Sequence, residues 1–401
     1  MVRAPSAGMR VLLLSLAIAV GQLATSLYLP SLPAMAHELA VGPAAASWTL
    51  TAFYIGFAVC NLVAGPMADA RGRLPVLLGG LAVYVVGTVL CATATSIGPF
   101  LVGRLVQAAG ASAAPVVGRA MLRDVQGNDQ TGGAGTKAMI WVSIAMAASP
   151  ALGPPLGGLI QQTLGWRWAF WVLAAGGAAV LAAAVALLDE TQRPGARVRA
   201  TGLVGRYVGL LGDGAYRQNV GALSCLFAGL GVFFATGPFL FIQMLGFSPI
   251  TYGLLNIANV AGYLAGSFVA GRLSRRVSPS GLVRGGTLVA LAGGAAMAGL
   301  AGAGVFAAWS ILAPVVVLTL GFGIVLPAAT AGALDRHPMQ AGLASALLGF
   351  IQVGAAAAGT AIAGVMLGHG FLPVACVFLL LTAAAAWFAW GLRPGIAAVA
   401  A

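Results

Sequence analysis

Long apolar segments fill this chain, and the short gaps between them alternate in charge. The gap after the opening segment, around His37 and Glu38, has no Lys or Arg, while the next holds Arg71 and Arg73. The gap from Ser96 to Pro99 has none, and the one after it carries Arg119, Arg123 and Lys137. The alternation continues to the C-terminus, with Arg167 the one gap residue on the opposite side. Basic loops stay in the cytoplasm during insertion, so alternate loops of a many-spanning protein become rich in Lys and Arg. The pattern predicts a polytopic, all-α membrane protein.

Composition agrees. The chain is 60% hydrophobic and 7% charged, with a mean hydropathy of +0.98, whereas a soluble domain carries roughly 25% charged residues. The net charge of +12 follows from loop bias. It comes with no basic stripe beside an aromatic platform, so nucleic acid is not the expected partner; anionic headgroups of the bilayer are. Cys60, Cys91, Cys225 and Cys376 fall in apolar segments without CxxC spacing and read as buried free thiols. No metal or cofactor is expected. The N-terminal Arg3, Arg10 and apolar run imitate a secretory signal. That run extends from Val11 to about Met35, too long for an h-region of about 7–15 residues, and reads as a retained span.

A span needs about 20 mostly apolar residues. That rule gives about twelve: 11–35, 46–68, 74–95, 98–121, 138–161, 168–188, 219–243, 250–272, 281–303, 308–333, 341–367 and 371–392. Arg3 and Arg10 put the N-terminus in the cytoplasm, and an even number of spans returns Arg393 there. The polar stretch from Asp189 to Arg217 divides the chain into a six-helix bundle over 1–190, a cytoplasmic linker over 191–217, and a second six-helix bundle over 218–401. Ala64-Gly65 after span 2 is echoed by Ala270-Gly271 after span 8. Two similar bundles predict a transporter with its substrate site at their interface near the midplane.

Three stretches stand out. Between spans 2 and 3 lies Gly65-Pro66-Met67-Ala68-Asp69-Ala70-Arg71-Gly72-Arg73. Here Gly65 permits close backbone approach, Gly72 a tight turn, and Asp69 with its arginines can pair or cap helix ends. In span 5, Ser149-Pro150-Ala151-Leu152-Gly153-Pro154-Pro155-Leu156-Gly157-Gly158 removes backbone hydrogen bonds and bulk, bending the helix and letting neighbours approach. In span 4, Arg104 is the single charge well inside a span; a charge there is costly and marks a functional site. Gln107 shares its helix face. The alternative is an arginine that snorkels from the outer third of the span.

These stretches carry a family resemblance. The Gly65, Asp69, Arg71, Gly72, Arg73 loop resembles the signature loop of the major facilitator superfamily, which implies a latch on the cytoplasmic side released during alternating access. The corresponding Gly271-Arg272-Leu273-Ser274-Arg275-Arg276 lacks the acid. Gly153-Pro154-x-x-Gly157-Gly158 is similar to the antiporter motif of the drug/proton antiporter branch, and Arg104-x-x-Gln107-x-x-Gly110 to a span-4 pattern that in relatives takes part in proton transfer. Tyr28-Leu29-Pro30-Ser31-Leu32-Pro33, Phe233-Phe234-Ala235-Thr236-Gly237-Pro238-Phe239, the segment 341–350 and Gly165-Trp166-Arg167-Trp168 resemble the bicyclomycin/chloramphenicol-resistance transporters over almost the whole chain.

The chain departs from that branch at one position. An acid usually precedes Tyr-Leu-Pro by two residues; here Ser26 stands there. All eight carboxylates (Glu38, Asp69, Asp124, Asp129, Asp189, Glu190, Asp213 and Asp335) lie in loops or at span ends. With Arg104 uncompensated, the cavity is expected to suit neutral or anionic amphiphiles rather than cations. Proton coupling then falls to Glu38 or His37 at the outer mouth, or is weak. Further candidate cavity residues are Gln22 and Ser26 on span 1, Asn256, Asn259 and Tyr263 on one face of span 8, Gln352 on span 11, and Trp141, Phe233 and Phe234. Hydrogen bonding between helices is an equal reading for the polar ones, and packing for the aromatics. The expectation is a monomeric, non-enzymatic exporter of small amphiphiles in a bacterial inner membrane, an antiporter driven by protons; an importer or metabolite exchanger of the same fold is the alternative. A membrane enzyme or non-transporting receptor is the reading from another class, but no mid-span histidine or carboxylate supplies its chemistry.

Overall fold

The computed structural model describes residues 7–126, 134–191, 203–337 and 340–392, and side chains within them except at 7, 123–126, 134–147 and 203–204. The gap charges Arg193, Arg197 and Arg199 and the terminal Arg3 and Arg393 lie outside that description, as do the side chains of Arg123, Lys137 and Trp141. The described residues are helical, without strands. Among the described residues, eleven helical segments are long and apolar enough to cross a membrane. The region read as the fifth span is also helical, as α7 (Ala134–Thr163).

The helices break where the residues require it. The opening span is α1 (Ala7–Ser26), a 3-10 turn (Leu29–Ser31) and α2 (Leu32–Glu38). Pro30 and Pro33 bring no N–H to the ladder, so the helix is re-started at this point. α3 (Pro43–Arg71) and α4 (Arg73–Thr93) meet at Gly72, whose φ of +105° suits only glycine. The fourth span is split into α5 (Ile97–Ala111) and α6 (Ala113–Gln126), and after α7 the first half ends with α8 (Trp166–Leu187).

Part of the linker is helical: α9 covers Leu203–Gly212. The second half follows with α10 (Gly214–Pro238), which loosens into a π-helical turn at Phe239–Met244, then α11 (Pro249–Leu273), α12 (Pro279–Gly302), α13 (Ala308–Leu334), α14 (Ala341–Leu367) and α15 (Phe371–Trp390). Large apolar side chains cover the outside, including Trp387, Leu380, Phe268 and Val185, each over 60% exposed. Lipid, not water, is the solvent for such a surface.

The helices form two compact units. One holds residues 1–41, 52–201 and 248–253; the other holds 42–51, 202–247 and 254–401. Each therefore includes a short segment from the opposite half of the sequence. In the first, Gly158 lies against the Pro249 backbone and Gly253 against the Pro154 carbonyl. In the second, the Thr51 and Thr360 hydroxyls are 2.7 Å apart. The four cysteines are free, but the expectation of buried thiols holds for Cys91 alone: Cys60 and Cys225 are half-buried and Cys376 is exposed. Apolar spans present residues to lipid as well as to neighbours, so an apolar segment does not imply burial within the protein.

Candidate functional site

Arg104 lies in the middle of α5 and is fully buried, which removes the snorkelling alternative. Its Nη1 donates to the Ala24 carbonyl (3.0 Å) and to Gln107 Oε1 (2.6 Å). Its guanidinium carbon sits 4.4 Å from the ring centroids of both Tyr28 and Phe53. Tyr28 comes from the break after α1, and Phe53 from α3. A buried cation must replace lost hydration with partners. Here carbonyl and amide oxygens accept its N–H groups, and ring faces contribute cation–π attraction, worth about 2 kcal/mol or more when desolvated. All these partners are neutral.

The network continues through the fold. Gln107 Nε2 donates to Thr88 Oγ1 (2.9 Å), Thr88 donates to the Tyr84 carbonyl (2.6 Å), and the Tyr84 hydroxyl donates to the Val20 carbonyl (3.2 Å). It thus ties α5 to α4 and α4 to α1. The sequence paired Arg104 with Gln107 on one face. It missed Tyr28 and Phe53 as the ring faces, and Thr88 and Tyr84 as the supporting groups. Tyr28 was visible within a motif; Phe53 carries no local signal.

A second layer lies towards the end that the sequence assigns outside. Phe100, Trp166 and Phe170 contact one another edge to face, with centroids 5.3–6.1 Å apart, and Phe170 is 6.0 Å from the Arg104 guanidinium. Beyond them, Trp166 Nε1 donates to Glu38 Oε2 (2.6 Å) and Arg167 pairs with Glu38 Oε1. Arg167 also donates to the Ala94 carbonyl (3.1 Å) and lies 4.2 Å over the Trp166 ring. This explains the one exception to charge alternation: Arg167 holds a carboxylate. The Glu38 side chain remains 49% exposed.

The Gly/Pro motif of α7 packs on α1. A Cβ at Gly153 meets Ser26 Oγ, and one at Gly157 overlaps the Leu27 carbonyl. Ser26 donates to the Ser149 carbonyl (3.1 Å), an inter-helix bond in the place where the branch carries its acid. Gln22 is half-buried one turn earlier.

In the signature loop, the reading of Gly65 needs correction. A Cβ there lies 3.7 Å from Val116 Cγ1, an ordinary contact, so no close backbone approach depends on it. Asp69 is half-buried on the last turn of α3, with Arg71 exposed beside it. The N-terminus of α4 is capped by Glu190, whose carboxylate accepts the backbone N–H groups of Arg73 and Leu74, both at 3.1 Å. Negative charge at a helix N-terminus is favourable. The sequence listed Glu190 as a span-end acid and did not link it to this loop, because the two are more than a hundred residues apart.

The remaining candidates separate. Asn256 and Asn259 are both buried and 3.4 Å apart. Tyr263 continues their face and packs on Phe322, which also meets Phe227, with both centroid distances 5.9 Å. Phe233 is 2% exposed and packs on Phe234, so it is core. Gln352 is half-buried on α14.

Comparison with known proteins gives the family. The chain matches the Major Facilitator Superfamily over residues 14–360 and belongs to it; it is a multi-pass membrane transporter, not an enzyme. Multidrug resistance protein D of Escherichia coli is 30% identical over 341 residues, covering 85% of this chain and 84% of that protein. The bicyclomycin resistance protein homolog of Haemophilus influenzae is 28% identical over 342 residues, covering 81% of each. Among solved structures, a D-xylose-proton symporter aligns with a TM-score of 0.73 at 15% identity, over 96% of this chain and 97% of its own. The human organic anion transporter aligns at 0.70 and 20% identity, over 97% and 100%. These two likenesses establish the fold alone.

Proposed function

We propose that the chain exports small amphiphilic compounds from the bacterial cytoplasm across the inner membrane. It does so as a monomer of twelve spans with both termini inside, by alternating access of two six-helix bundles and in exchange for protons. Two drug-resistance relatives aligned over more than 80% of this chain support the efflux reading. The observation that carries the specificity is Arg104, a fully buried guanidinium that donates to the Ala24 carbonyl and to Gln107 and stacks between Tyr28 and Phe53. A fixed positive charge in low dielectric repels a cationic ligand and attracts or tolerates anionic and neutral ones.

Within this reading Glu38 is the proton-coupling group at the outer mouth, where its half-exposed carboxylate reaches solvent. Protonation there releases Arg167 and the Trp166 indole, which contacts the aromatic layer above Arg104. The Asp69 loop latches the inner side, and the α7 motif limits leak by close packing. Gln22, Gln107, Asn256, Asn259, Tyr263 and Gln352 supply polar contacts to substrate.

The test is transport in proteoliposomes under an imposed pH gradient, with chloramphenicol as neutral cargo and tetraphenylphosphonium as cation. Gradient-driven movement of the neutral compound, abolished in Glu38→Gln, is expected. Vigorous export of the cation defeats the specificity claim, and accumulation in the opposite direction identifies an importer.

A further inference from the structure

A crevice of about 320 Å3 opens between the start of α10 and the end of α15, lined by Gly214, Arg217, Gln218, Trp387, Phe388, Trp390 and Gly391. It lies outside the site described above. Arg217 stands in it with one nitrogen, Nη1, donating to the Leu211 and Gly212 carbonyls at the end of α9. No other side-chain hydrogen bond of Arg217 is present among the described residues. A second guanidinium flanks the crevice: Arg284 of α12 donates to the Ala389, Trp390 and Leu392 carbonyls that end α15. Its carbon is 6.0 Å from the Trp390 ring.

No carboxylate lines the crevice. The acid next in sequence, Asp213, is turned to Ala215 N–H, Arg336 and His337. The opposite wall is apolar and outward-facing, since Trp387 is 72% exposed and Trp390 56%. Trp concentrates at the level of lipid headgroups, and basic pockets between membrane helices on the cytoplasmic side hold anionic headgroups.

We infer that this crevice is a binding site for an anionic phospholipid, with Arg217 on the phosphodiester and Trp387 and Trp390 along the upper acyl chain. A phosphate without a tail satisfies the guanidinium but leaves the indole wall unused, so the occupant is a lipid. That the lipid comes from the cytoplasmic leaflet rests on the orientation proposed above; the binding itself does not.

The experiment is native mass spectrometry of the purified full chain released from detergent, with added dioleoylphosphatidylglycerol or dioleoylphosphatidylcholine. The wild type should retain the phosphatidylglycerol preferentially. Arg217→Gln should weaken that retention about fivefold, the effect of one arginine near an anionic surface, and leave the phosphatidylcholine unchanged. Trp387→Ala, at an exposed position, should also weaken it and keeps the test alive if Arg217→Gln does not fold. Arg276→Gln, in another basic turn of the same unit, should change nothing. Equal retention of the two lipids overturns the inference. So does an Arg276→Gln loss as large as that of Arg217→Gln, which indicates diffuse attraction, or displacement by inorganic phosphate, which indicates a simple anion site. No arm measures transport, so failure of the efflux reading leaves the result intact.

Discussion

The first unit keeps a charge inside its apolar helices, whereas the polar interior of the second is neutral. In the first, Arg104 is gripped by two ring faces and two oxygens, and a chain of hydrogen bonds runs through Gln107, Thr88 and Tyr84. In the second, the fourth long helix, α13, offers Phe322 between Phe227 and Tyr263, with an asparagine pair beside it on α11. Carboxylates do a different job in both. Glu190 caps α4 in the first unit and Asp213 caps α10 in the second. The contrast teaches that Glu190 and Asp213 serve helix ends, while the buried polar groups divide into a cationic set in the first unit and an aromatic-amide set in the second.

The strongest way to break that contrast is to remove the charge. Arg104→Ala leaves Gln107 and the Ala24 carbonyl without their charged donor and opens space between Tyr28 and Phe53. Transport in proteoliposomes should fall at least about tenfold, the scale of one charge-assisted hydrogen bond. Arg104→Lys retains the charge without the planar fork that stacks between rings, and should recover only part of the rate. If Arg104→Ala transports at the wild-type rate, the charged half is structural decoration.

Packing gives the next effect. Gly157→Ala drives a Cβ into the Leu27 carbonyl, whereas Gly65→Ala finds ordinary contact at 3.7 Å from Val116. The first should cost about 1–3 kcal/mol, the usual range for overpacking, and the second less than about 0.5 kcal/mol. Thermal unfolding of the purified variants measures both. The result separates two glycines that belong to equally well-formed motifs.

Those glycines also show what the sequence could reveal. The all-helical, many-spanning character was legible because bilayer thickness acts on every segment. The Arg104–Gln107 pair was legible because helical periodicity is local. The ring faces of Tyr28 and Phe53, the Glu190 cap and the Glu38–Arg167 pair were not, since each joins positions tens to more than a hundred residues apart. Arg167 was noticed as an exception, but periodicity alone gives no reason for it. Gly65 was misread for the opposite reason: a motif position was assigned a steric duty that its neighbours do not impose.

The neutral half should respond more weakly. Asn259→Leu removes a buried amide bonded to Asn256, and such bonds between membrane groups average about 0.6 kcal/mol. Stability should change little, while the ratio of transport rates between cargoes with and without hydrogen-bond donors should shift. An unchanged ratio places the asparagine pair in packing alone and leaves the aromatic trio to represent the second half.

The smallest effect concerns the end of the second unit, and its sign follows from Asp213. Partial burial pushes this carboxyl up, but the Ala215 N–H, the Arg336 guanidinium, the His337 ring and the Tyr216 N–H outweigh it and hold it below the ordinary value of 3.8. A carboxyl lowered in the folded state binds its proton more readily when unfolded. Its contribution is therefore complete above about 3.9, the unfolded value, and drains away as pH falls through the lower folded value. Asp213→Asn keeps an oxygen for the cap and loses the charge, so capping itself should survive. Melting temperatures of the wild type and Asp213→Asn should differ by about 1–3 °C at neutral pH, the scale of a partly exposed ion pair. They should converge as the medium is acidified below 3.8. A gap that persists undiminished in acid assigns Asp213 to capping geometry and removes charge from the account of how α10 is anchored to the Arg336–His337 turn.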